Sequence, residues 1–169
     1  NLFWQCNRFH LMKLPNVITV GALENDGSRA DFSSFATDNA EVTLSAPGVE
    51  MVVGTDESGQ PIKASGTSFS APQVTSAIAL IQSINPDLNA EQVKELLVKT
   101  SAPGVTTYAK PGEISAGDQS IPIPEGMGAG VLRVDQAVLQ TINDMREKQN
   151  LPPYEMQQLL DISTVTLTS

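Results

Sequence analysis

The residues with the clearest chemical potential lie between Lys63 and Pro72, where the sequence reads KASGTSFSAP. Ser68 follows Gly66 and Thr67 and opens an apolar segment in which Pro72 marks a first helical turn, because proline lacks the N–H that later turns need. Unpaired backbone N–H groups and the positive end of the helix dipole stabilise a developing oxyanion there. The pattern therefore favours a nucleophile at Ser68, with its own N–H as an oxyanion donor and Gly66 leaving room for a substrate backbone.

A second interpretation of Ser68 is structural, because serine is a common helix N-cap. Two other hydrolase signatures do not fit. No glycine stands two residues after Ser68, as G-x-S-x-G requires, and the sequence contains no Ser-x-x-Lys. From the residues alone, the cap and the nucleophile both stay open.

The elements that must position Ser68 follow from hydrophobic periodicity and turn residues. Strands are predicted at 17–20, 42–46 and 50–54, and helices at 68–84, 90–100 and 132–147. The helix from Ser68 is expected to be buried on most of its circumference. Its core face is predicted to contain Ala71, Val74, Ile78 and Ile81. The second helix has Asn89 as N-cap, Gln92 as capping-box partner, and an apolar stripe of Val93, Leu96 and Leu97.

Turn residues separate these elements. Asn25-Asp26-Gly27 predicts a turn within a loop at 24–39, and Pro47-Gly48 is expected to bend the chain between two strands. Residues 101–126 predict a long loop or insertion. Pro152-Pro153 is expected to stop the third helix, before a short helix at 154–160 and a strand or linker at 163–169.

Composition excludes several classes of function. The chain has 169 residues, nineteen acidic against ten basic side chains and a net charge of −9, which argues against nucleic acid and anionic membranes as partners. One cysteine, Cys6, forms no internal disulfide, and one histidine, His10, builds no zinc site of the usual kinds. No apolar run reaches the length of about 18 residues that spans a bilayer. The start at Asn1, without a signal peptide pattern, suggests a processed or cut product.

Several motifs, in order, resemble those of the subtilisin-like serine proteases, the subtilases (peptidase S8). Gly66-Thr67-Ser68-Phe69-Ser70-Ala71-Pro72 resembles the nucleophile motif of that family. The upstream matches are the strand at 16–22, the Phe32-Ser33-Ser34-Phe35 loop and the Ala46-Pro47-Gly48 turn. The downstream matches lie at 85–97 and 128–138. The resemblance covers about residues 15–140 and favours the nucleophile at Ser68, because ordered motifs coincide by chance far less often than one does.

The resemblance implies that Ser68 attacks a scissile carbonyl, with Thr67 and Gly66 beside the oxyanion site. A triad in the subtilisin order needs Asp and then His before the serine. Here the only histidine is His10, and residues 1–9 contain no acid. The oxyanion Asn of the family has no counterpart either, because residues 1–14 do not resemble its usual segment. The chain is thus expected to lack its N-terminal half and to be inactive alone.

Other candidate sites have simpler interpretations. His10 lacks the surroundings of the family's base and is interpreted as a bystander, and Cys6 as a small buried residue or a free thiol. Glycines at 126, 128 and 130 predict a tight turn in the closing segment rather than a phosphate loop. Asp56 and Glu57, in a Gly-rich hairpin, and Glu113 and Asp118, in the long loop, are interpreted as solvated acids rather than calcium ligands. No metal or cofactor is therefore assigned, although the family resemblance allows calcium in a longer parent.

These observations predict an α/β fold, the C-terminal portion of a subtilisin-like domain, with a mostly parallel sheet packed by helices. Residues 15–140 form the catalytic part, 1–14 an atypical, loosely attached segment, and 141–169 a helical extension and linker. The resemblance implies a serine endopeptidase that acts on polypeptides and is secreted or extracellular. A degenerate subtilase-like module with a binding or structural role is the first alternative. An unrelated small α/β domain, in which Ser68 only caps a helix, is the second.

Overall fold

The structure, a computed structural model, describes residues 14–36, 41–102, 105–106, 120–121 and 127–158. The strands are β1 (Val20–Leu23), β2 (Leu44–Pro47), β3 (Met51–Thr55), β4 (Pro61–Ala64), β5 (Val105–Thr106) and β6 (Ser120–Ile121). The helices are α1 (Thr67–Ile84), α2 (Ala90–Thr100) and α3 (Val134–Lys148). Residues 156–158 add one short helical turn.

A parallel pair of strands forms the centre of the sheet. β1 and β2 run parallel with Val20 opposite Leu44. Val131 extends this sheet through a parallel bridge to Ser45, and Ala102 joins Val131 in an antiparallel bridge. The expected α/β architecture, with a mostly parallel sheet packed by helices, is confirmed for these segments.

The first strand lies three residues later than predicted. The segment 17–19 forms no strand, whereas β1 begins at Val20 and includes Gly21, which was expected to end it. Thr19 and Thr43 lie just before the two strands. The Thr43 N–H donates to the Thr19 backbone oxygen at 2.8 Å and to its hydroxyl at 3.0 Å, and the Thr19 N–H donates to the Thr43 hydroxyl at 3.1 Å. The regular pairing of β1 with β2 begins only after these residues, at Val20 and Leu44.

The region between β2 and α1 is a projecting hairpin. Pro47 belongs to β2 rather than to a separate turn, and β3 begins at Met51. β4, which the sequence analysis did not assign, pairs antiparallel with β3, and the register shifts between Val52 and Gly54. Most of this hairpin is exposed, so no hydrophobic alternation marks its second strand in the sequence.

Helix α1 confirms the predicted start and end but not the predicted burial. It runs from Thr67 to Ile84, and its buried residues are Ser70, Val74, Ala77 and Ile81. Ala71 is exposed and Leu80 is 47 % exposed, so the expectation of burial on most of the circumference is wrong. Position 70, rather than 71, faces the sheet because the Ser70 hydroxyl donates to the backbone oxygen of Pro47 at 3.1 Å.

One hydrophobic core joins the sheet to all three helices. Leu44 and Ala46 of β2 contribute its sheet side. The helices contribute Val74, Ala77, Ile81, Val93, Leu96, Leu97 and Ala137, with Leu132 from the segment before α3. A smaller cluster of Leu23, Met127 and Val131 forms a second group of buried apolar residues. The core holds the start of α1 close to the end of β2.

The other two helices agree with the sequence to within two residues. α2 begins after Asn89, and the predicted capping box is present, with Asn89 and Gln92 bonded in both directions. α3 begins at Val134 because the Leu132 N–H still donates to the backbone oxygen of Ser45 at 2.8 Å, as in a strand. It ends at Lys148, before Asn150 with φ 56°, so Pro152-Pro153 does not stop it.

Several expectations fall outside the described residues. These concern the loose attachment of 1–14, described only at Leu14, most of the loop 101–126 and the strand or linker at 163–169. Within 101–126, the described pairs β5 and β6 form a short antiparallel ladder that the sequence analysis did not anticipate. Among the described residues, no helix has the length and apolarity to cross a membrane.

Candidate active site

Ser68 occupies the second position of α1, immediately after the helix begins at Thr67. Its side chain is exposed, whereas Gly66, Thr67 and Phe69 are half-buried. The predicted position of Ser68 in the first turn of the helix is confirmed. A serine hydroxyl at this place is open to a molecule approaching from solvent.

The helix-cap interpretation of Ser68 is wrong. Gly66 is the N-cap residue of α1, and no side chain caps the helix. The Ser68 hydroxyl makes no hydrogen bond to any residue within the described ranges. It is therefore available to a general base instead of being engaged by the backbone.

The backbone around Ser68 offers donors for negative charge. The Phe69 N–H donates to the Gly66 oxygen at 3.0 Å, which leaves Thr67 and Ser68 as the helical residues whose N–H groups have no intrahelical acceptor. Both groups lie at the positive end of the helix dipole. Donors of this kind stabilise negative charge that develops beside a helix N-terminus.

Gly66 keeps the space beside the hydroxyl open. Its backbone is extended, with φ 163° and ψ 154°, a conformation that any residue adopts. A Cβ atom on Gly66 would lie 3.7 Å from the Ser68 Oγ and 3.8 Å from the Phe69 ring. Glycine is thus not required by the backbone conformation here, and its effect is to leave room beside the Ser68 hydroxyl.

The Pro47-Gly48 dipeptide lies directly against the start of α1. The Gly66 N–H donates to the Gly48 oxygen at 2.8 Å, and the Gly48 N–H donates to the Leu23 oxygen at 3.0 Å. A Cβ atom on Gly48 would meet the Ser70 Oγ at 2.5 Å, so only glycine fits. The sequence identified Ala46-Pro47-Gly48 as a motif, whereas the structure shows that it supports the segment that carries Ser68.

A second contact fixes the base of the hairpin to the same region. Glu50 adopts φ 54°, and its N–H donates to the Ser65 hydroxyl at 3.0 Å. The Lys63 ammonium lies 3.2 Å from the Glu50 carboxylate in an exposed ion pair. These two contacts hold the base of the hairpin in place just before Gly66.

Ser33 attaches the Phe32-Ser33-Ser34-Phe35 loop to strand β1. Its buried hydroxyl accepts the Ala22 N–H at 2.9 Å and so closes part of the outer edge of β1. The Arg29 guanidinium donates to the backbone oxygen of Ser33 at 2.7 Å and lies 5.1 Å from the centre of the Phe35 ring. This loop is attached to the sheet by its serine, while Phe32 and Phe35 are exposed.

The closing segment confirms the tight-turn interpretation of the glycine cluster. Gly128 has φ 80°, and a Cβ atom there would lie 2.7 Å from the backbone of Thr43. The Ala129 N–H donates to the Thr43 oxygen at 2.9 Å, and the Ser45 N–H donates to the Gly130 oxygen at 2.8 Å. These backbone groups serve the sheet, so the described part of the cluster is not a phosphate loop.

The carboxyl groups with lowered pKa values are bonded to residues close to them in the sequence. Hydrogen bonds from the Ser58 hydroxyl and then from the backbone lower the pKa of Asp56, and Ser28 does the same for Asp26. The Arg133 side chain lowers the pKa of Asp135 by a hydrogen bond. No group of three or more His, Cys, Asp or Glu that could hold a metal occurs within the described ranges.

Five residues weighed from the sequence fall outside the described ranges. They are Cys6, His10, Glu113, Asp118 and Gly126. The structure brings together Gly66, Thr67 and Ser68. It adds contacts from Gly48 and Ser70, which the sequence analysis named only as members of motifs, and from Gln73, which it did not name. The sequence signal for these contacts is the pair of polar side chains at 70 and 73, three positions apart on one side of the helix.

Comparison with known proteins relates this arrangement to proteases. The model of the subtilase family (peptidase S8) matches residues 5–131. An extracellular protease of Xanthomonas campestris pv. campestris is 34% identical over 134 residues, which are 76% of this chain and 20% of that protein. Subtilisin DY of Bacillus licheniformis is 42% identical over 89 residues, 53% of this chain and 31% of that protein. The chain thus spans a fifth to a third of the length of these relatives.

Solved structures have the same fold. The prenylagaramide maturation protease PagA superposes with a TM-score of 0.53 at 27% identity, over 79% of this chain and 45% of that one. The CspB protease of Clostridium perfringens superposes with a TM-score of 0.55 at 25% identity, over 82% and 28%. Each neighbour is more than twice as long as the part that this chain matches.

Proposed function

The chain belongs to the subtilase family of serine proteases, and we propose that Ser68 is the nucleophile of a peptide-bond hydrolysis that proceeds by acyl transfer. The observation that carries this proposal is the exposed Ser68 hydroxyl in the first turn of α1, without a hydrogen-bond partner in the described part of the chain. A serine that caps a helix accepts a backbone N–H of the first turn. Ser68 makes no such bond within the described ranges.

The proposed reaction uses the groups around Ser68 in a fixed order. The Ser68 Oγ attacks the scissile carbonyl carbon while a base takes its proton, and the carbonyl oxygen becomes an oxyanion that accepts the Ser68 N–H. The C–N bond then breaks, and the base returns the proton to the leaving amine. Water next attacks the acyl–serine ester and regenerates the hydroxyl. Thr67 and Gly66 border the oxyanion and the substrate backbone.

The base and its orienting acid are proposed to come from outside these 169 residues. The only histidine of the chain is His10, and no acid precedes it, so the order Asp, His, Ser cannot be met within the chain. We propose that an N-terminal half of the catalytic domain supplies Asp, His and the oxyanion Asn. Residues 15–140 then form the C-terminal part of this domain, flanked by 1–14 and by the extension 141–169.

The substrate and location follow from the same family. Polypeptides are the proposed substrates, because acyl transfer to serine followed by hydrolysis cleaves amide bonds. Secretion is proposed because relatives in Xanthomonas campestris pv. campestris and Dichelobacter nodosus are named as extracellular proteases. The Dichelobacter protein is 31% identical over 82% of this chain.

Labelling with a fluorescent fluorophosphonate tests the proposal. The coding DNA upstream of Asn1 is read, and the uninterrupted product, the parent protein, is expressed beside the 169-residue chain. The parent is expected to be labelled, and Ser68→Ala to abolish both labelling and peptide cleavage. Ser76→Ala is the matched control, because Ser76 is an exposed serine on the same helix. Loss of nucleophile or base lowers kcat by about 10⁶-fold in subtilisin, a member of the same family.

The 169-residue chain alone is expected to show neither labelling nor cleavage, because its serine lacks a base. Labelling of Ser68 in this chain would contradict the proposal of an external base and would direct attention to His10. A folded parent without labelling would contradict the catalytic proposal and favour the degenerate binding module instead.

A further inference from the structure

The helical turn that contains Ser68 lacks one of its own hydrogen bonds. In a regular helix, the N–H of residue 72 would donate to the backbone oxygen of residue 68. Pro72 has no N–H, so the Ser68 carbonyl receives no such bond. The position of Ser68 therefore depends more strongly on contacts from outside the helix.

Two side chains of α1 make these contacts at the end of β2. The Ser70 hydroxyl donates to the backbone oxygen of Pro47 at 3.1 Å. The Gln73 amide nitrogen donates to the same oxygen at 2.7 Å and to the backbone oxygen of Phe69 at 2.9 Å. Gln73 thus links the sheet to the residue that directly follows Ser68.

A third contact lies on the other side of the serine. The Gly66 N–H donates to the Gly48 oxygen at 2.8 Å. Ser70 has no exposed surface, and no Cβ atom fits between Gly48 and its hydroxyl. Ser68 is therefore flanked on both sides by residues bonded to Pro47 or Gly48, while its own hydroxyl has no partner in the described part of the chain.

We propose that Gln73 and Ser70 are positioning residues, which set the place of the Ser68 hydroxyl by bonding the first turn of α1 to the Pro47 carbonyl. The inference rests on the proposed role of Ser68 as a nucleophile. Neither residue is assigned a contact with substrate. Their effect acts through the backbone, and displacement of a reacting group by about 1 Å lowers a rate on the order of 100-fold.

The first test measures reactivity in the parent protein. Gln73→Met keeps the length of the side chain and removes both donors, and the rate of labelling by the fluorophosphonate at saturation is expected to fall at least about tenfold. Probe affinity and Tm are expected to change little. Gln73→His retains a donor and should recover part of the rate. Gln82→Met is the matched control, because Gln82 is exposed on the same helix.

The second test measures amide hydrogen exchange in the 169-residue chain and needs no activity. Gln73→Met is expected to speed exchange at Gly66 and Phe69 about tenfold, with α2 unchanged, because one lost hydrogen bond opens the turn locally. Ser70→Ala should act in the same direction. Gln82→Met should leave both amides unchanged.

The outcomes separate this inference from the proposed function. Unchanged exchange at Gly66 and Phe69 in Gln73→Met overturns the positioning role, whatever the parent does. Faster exchange with an unchanged labelling rate also overturns it, since the anchor would then not affect Ser68. Uniformly faster exchange with a lower Tm means a purely structural role and equally contradicts the proposal. An unlabelled wild-type parent contradicts the proposed function and with it a role for the anchor in catalysis.

Discussion

The serines of α1 differ in what their hydroxyl groups bond to. Ser70 donates to Pro47, Ser76 to the backbone oxygen of Pro72 at 2.9 Å and Ser83 to that of Leu80 at 2.7 Å. Ser68 has no such bond within the described ranges. A hydroxyl already bonded to a helix carbonyl must give up that bond before it can donate to a base. The difference at single residues thus favours Ser68 over its neighbours as a nucleophile.

Asp56 allows a prediction at the same scale. Its carboxylate accepts the Ser58 hydroxyl at 2.7 Å, the Ser58 N–H at 2.8 Å and the Gln60 N–H at 2.9 Å, with the Ser58 hydroxyl as the largest cause of its lowered pKa. Because the pKa of Asp56 is lower in the folded state, its ionised carboxylate stabilises the fold at pH values above the unfolded pKa. This stability is lost as the pH falls through the folded value. The Asp56 titration, followed by NMR, is therefore expected to have its midpoint below the ordinary value of about 3.9.

Ser58→Ala is expected to raise the Asp56 midpoint toward that ordinary value. Asp26 is an internal control in the same sample, because its pKa is lowered by an equivalent bond from Ser28. An unchanged Asp56 midpoint in the variant, or an equal rise at Asp26, would contradict the assigned cause.

At the scale of elements, the junction between β2 and α1 depends on a glycine. A Cβ atom on Gly48 would lie 2.5 Å from the Ser70 Oγ, 2.8 Å from the Ala22 Cβ and 3.0 Å from the Gly66 oxygen. Gly48→Ala is therefore expected to lower the free energy of unfolding by about 1–3 kcal/mol, as overpacking does. Gly54→Ala is the control, because a Cβ atom there meets nothing within 4 Å. Chemical denaturation of both variants measures the difference, and equal stability would show that the junction adjusts freely.

Helix α2 depends on its capping box. Asn89 accepts the Gln92 N–H at 2.9 Å, and the Gln92 side chain accepts the Asn89 N–H at 2.9 Å. Asn89→Ala is expected to lower the free energy of unfolding by about 1 kcal/mol, whereas Asn89→Asp retains an acceptor and should change it little. Denaturation curves that do not separate the two variants would contradict the role of the cap.

At the scale of the whole molecule, one core joins the sheet to three helices, and Ile81 is one of its fully buried members. Ile81 is fully buried, whereas its neighbour Leu80 is 47 % exposed. Ile81→Ala is expected to lower the free energy of unfolding by about 2–5 kcal/mol, because it removes apolar contacts and leaves a cavity. Leu80→Ala should cost less, since nearly half of the Leu80 side chain is already exposed to solvent. Denaturation midpoints of the two variants measure this difference. A similar loss of stability in both would contradict the assignment of Ile81 to the core.

Local sequence signals predicted the helices well. Apolar periodicity and the Asn89 capping box located α1 and α2 to within one residue. These signals work because each acts between residues three or four positions apart. The expectation that Pro72 lies in the first turn is wrong, because α1 begins at Thr67 and Pro72 lies in its second turn. The ordered motifs also predicted the family, since each motif is a run of neighbouring residues. The role of Ser68 as a nucleophile stays a prediction.

The amino-acid sequence by itself thus determined the helices, the α/β class and the family, all of which depend on short-range patterns. Only the tertiary structure decided which side of α1 is buried and that the Ser68 hydroxyl does not cap the helix. It also revealed the bonds from Ser70 and Gln73 to Pro47, across more than twenty residues of chain. Contacts of this kind leave no periodic trace in the sequence, because they depend on how β2 and α1 pack rather than on the spacing of residues within either element.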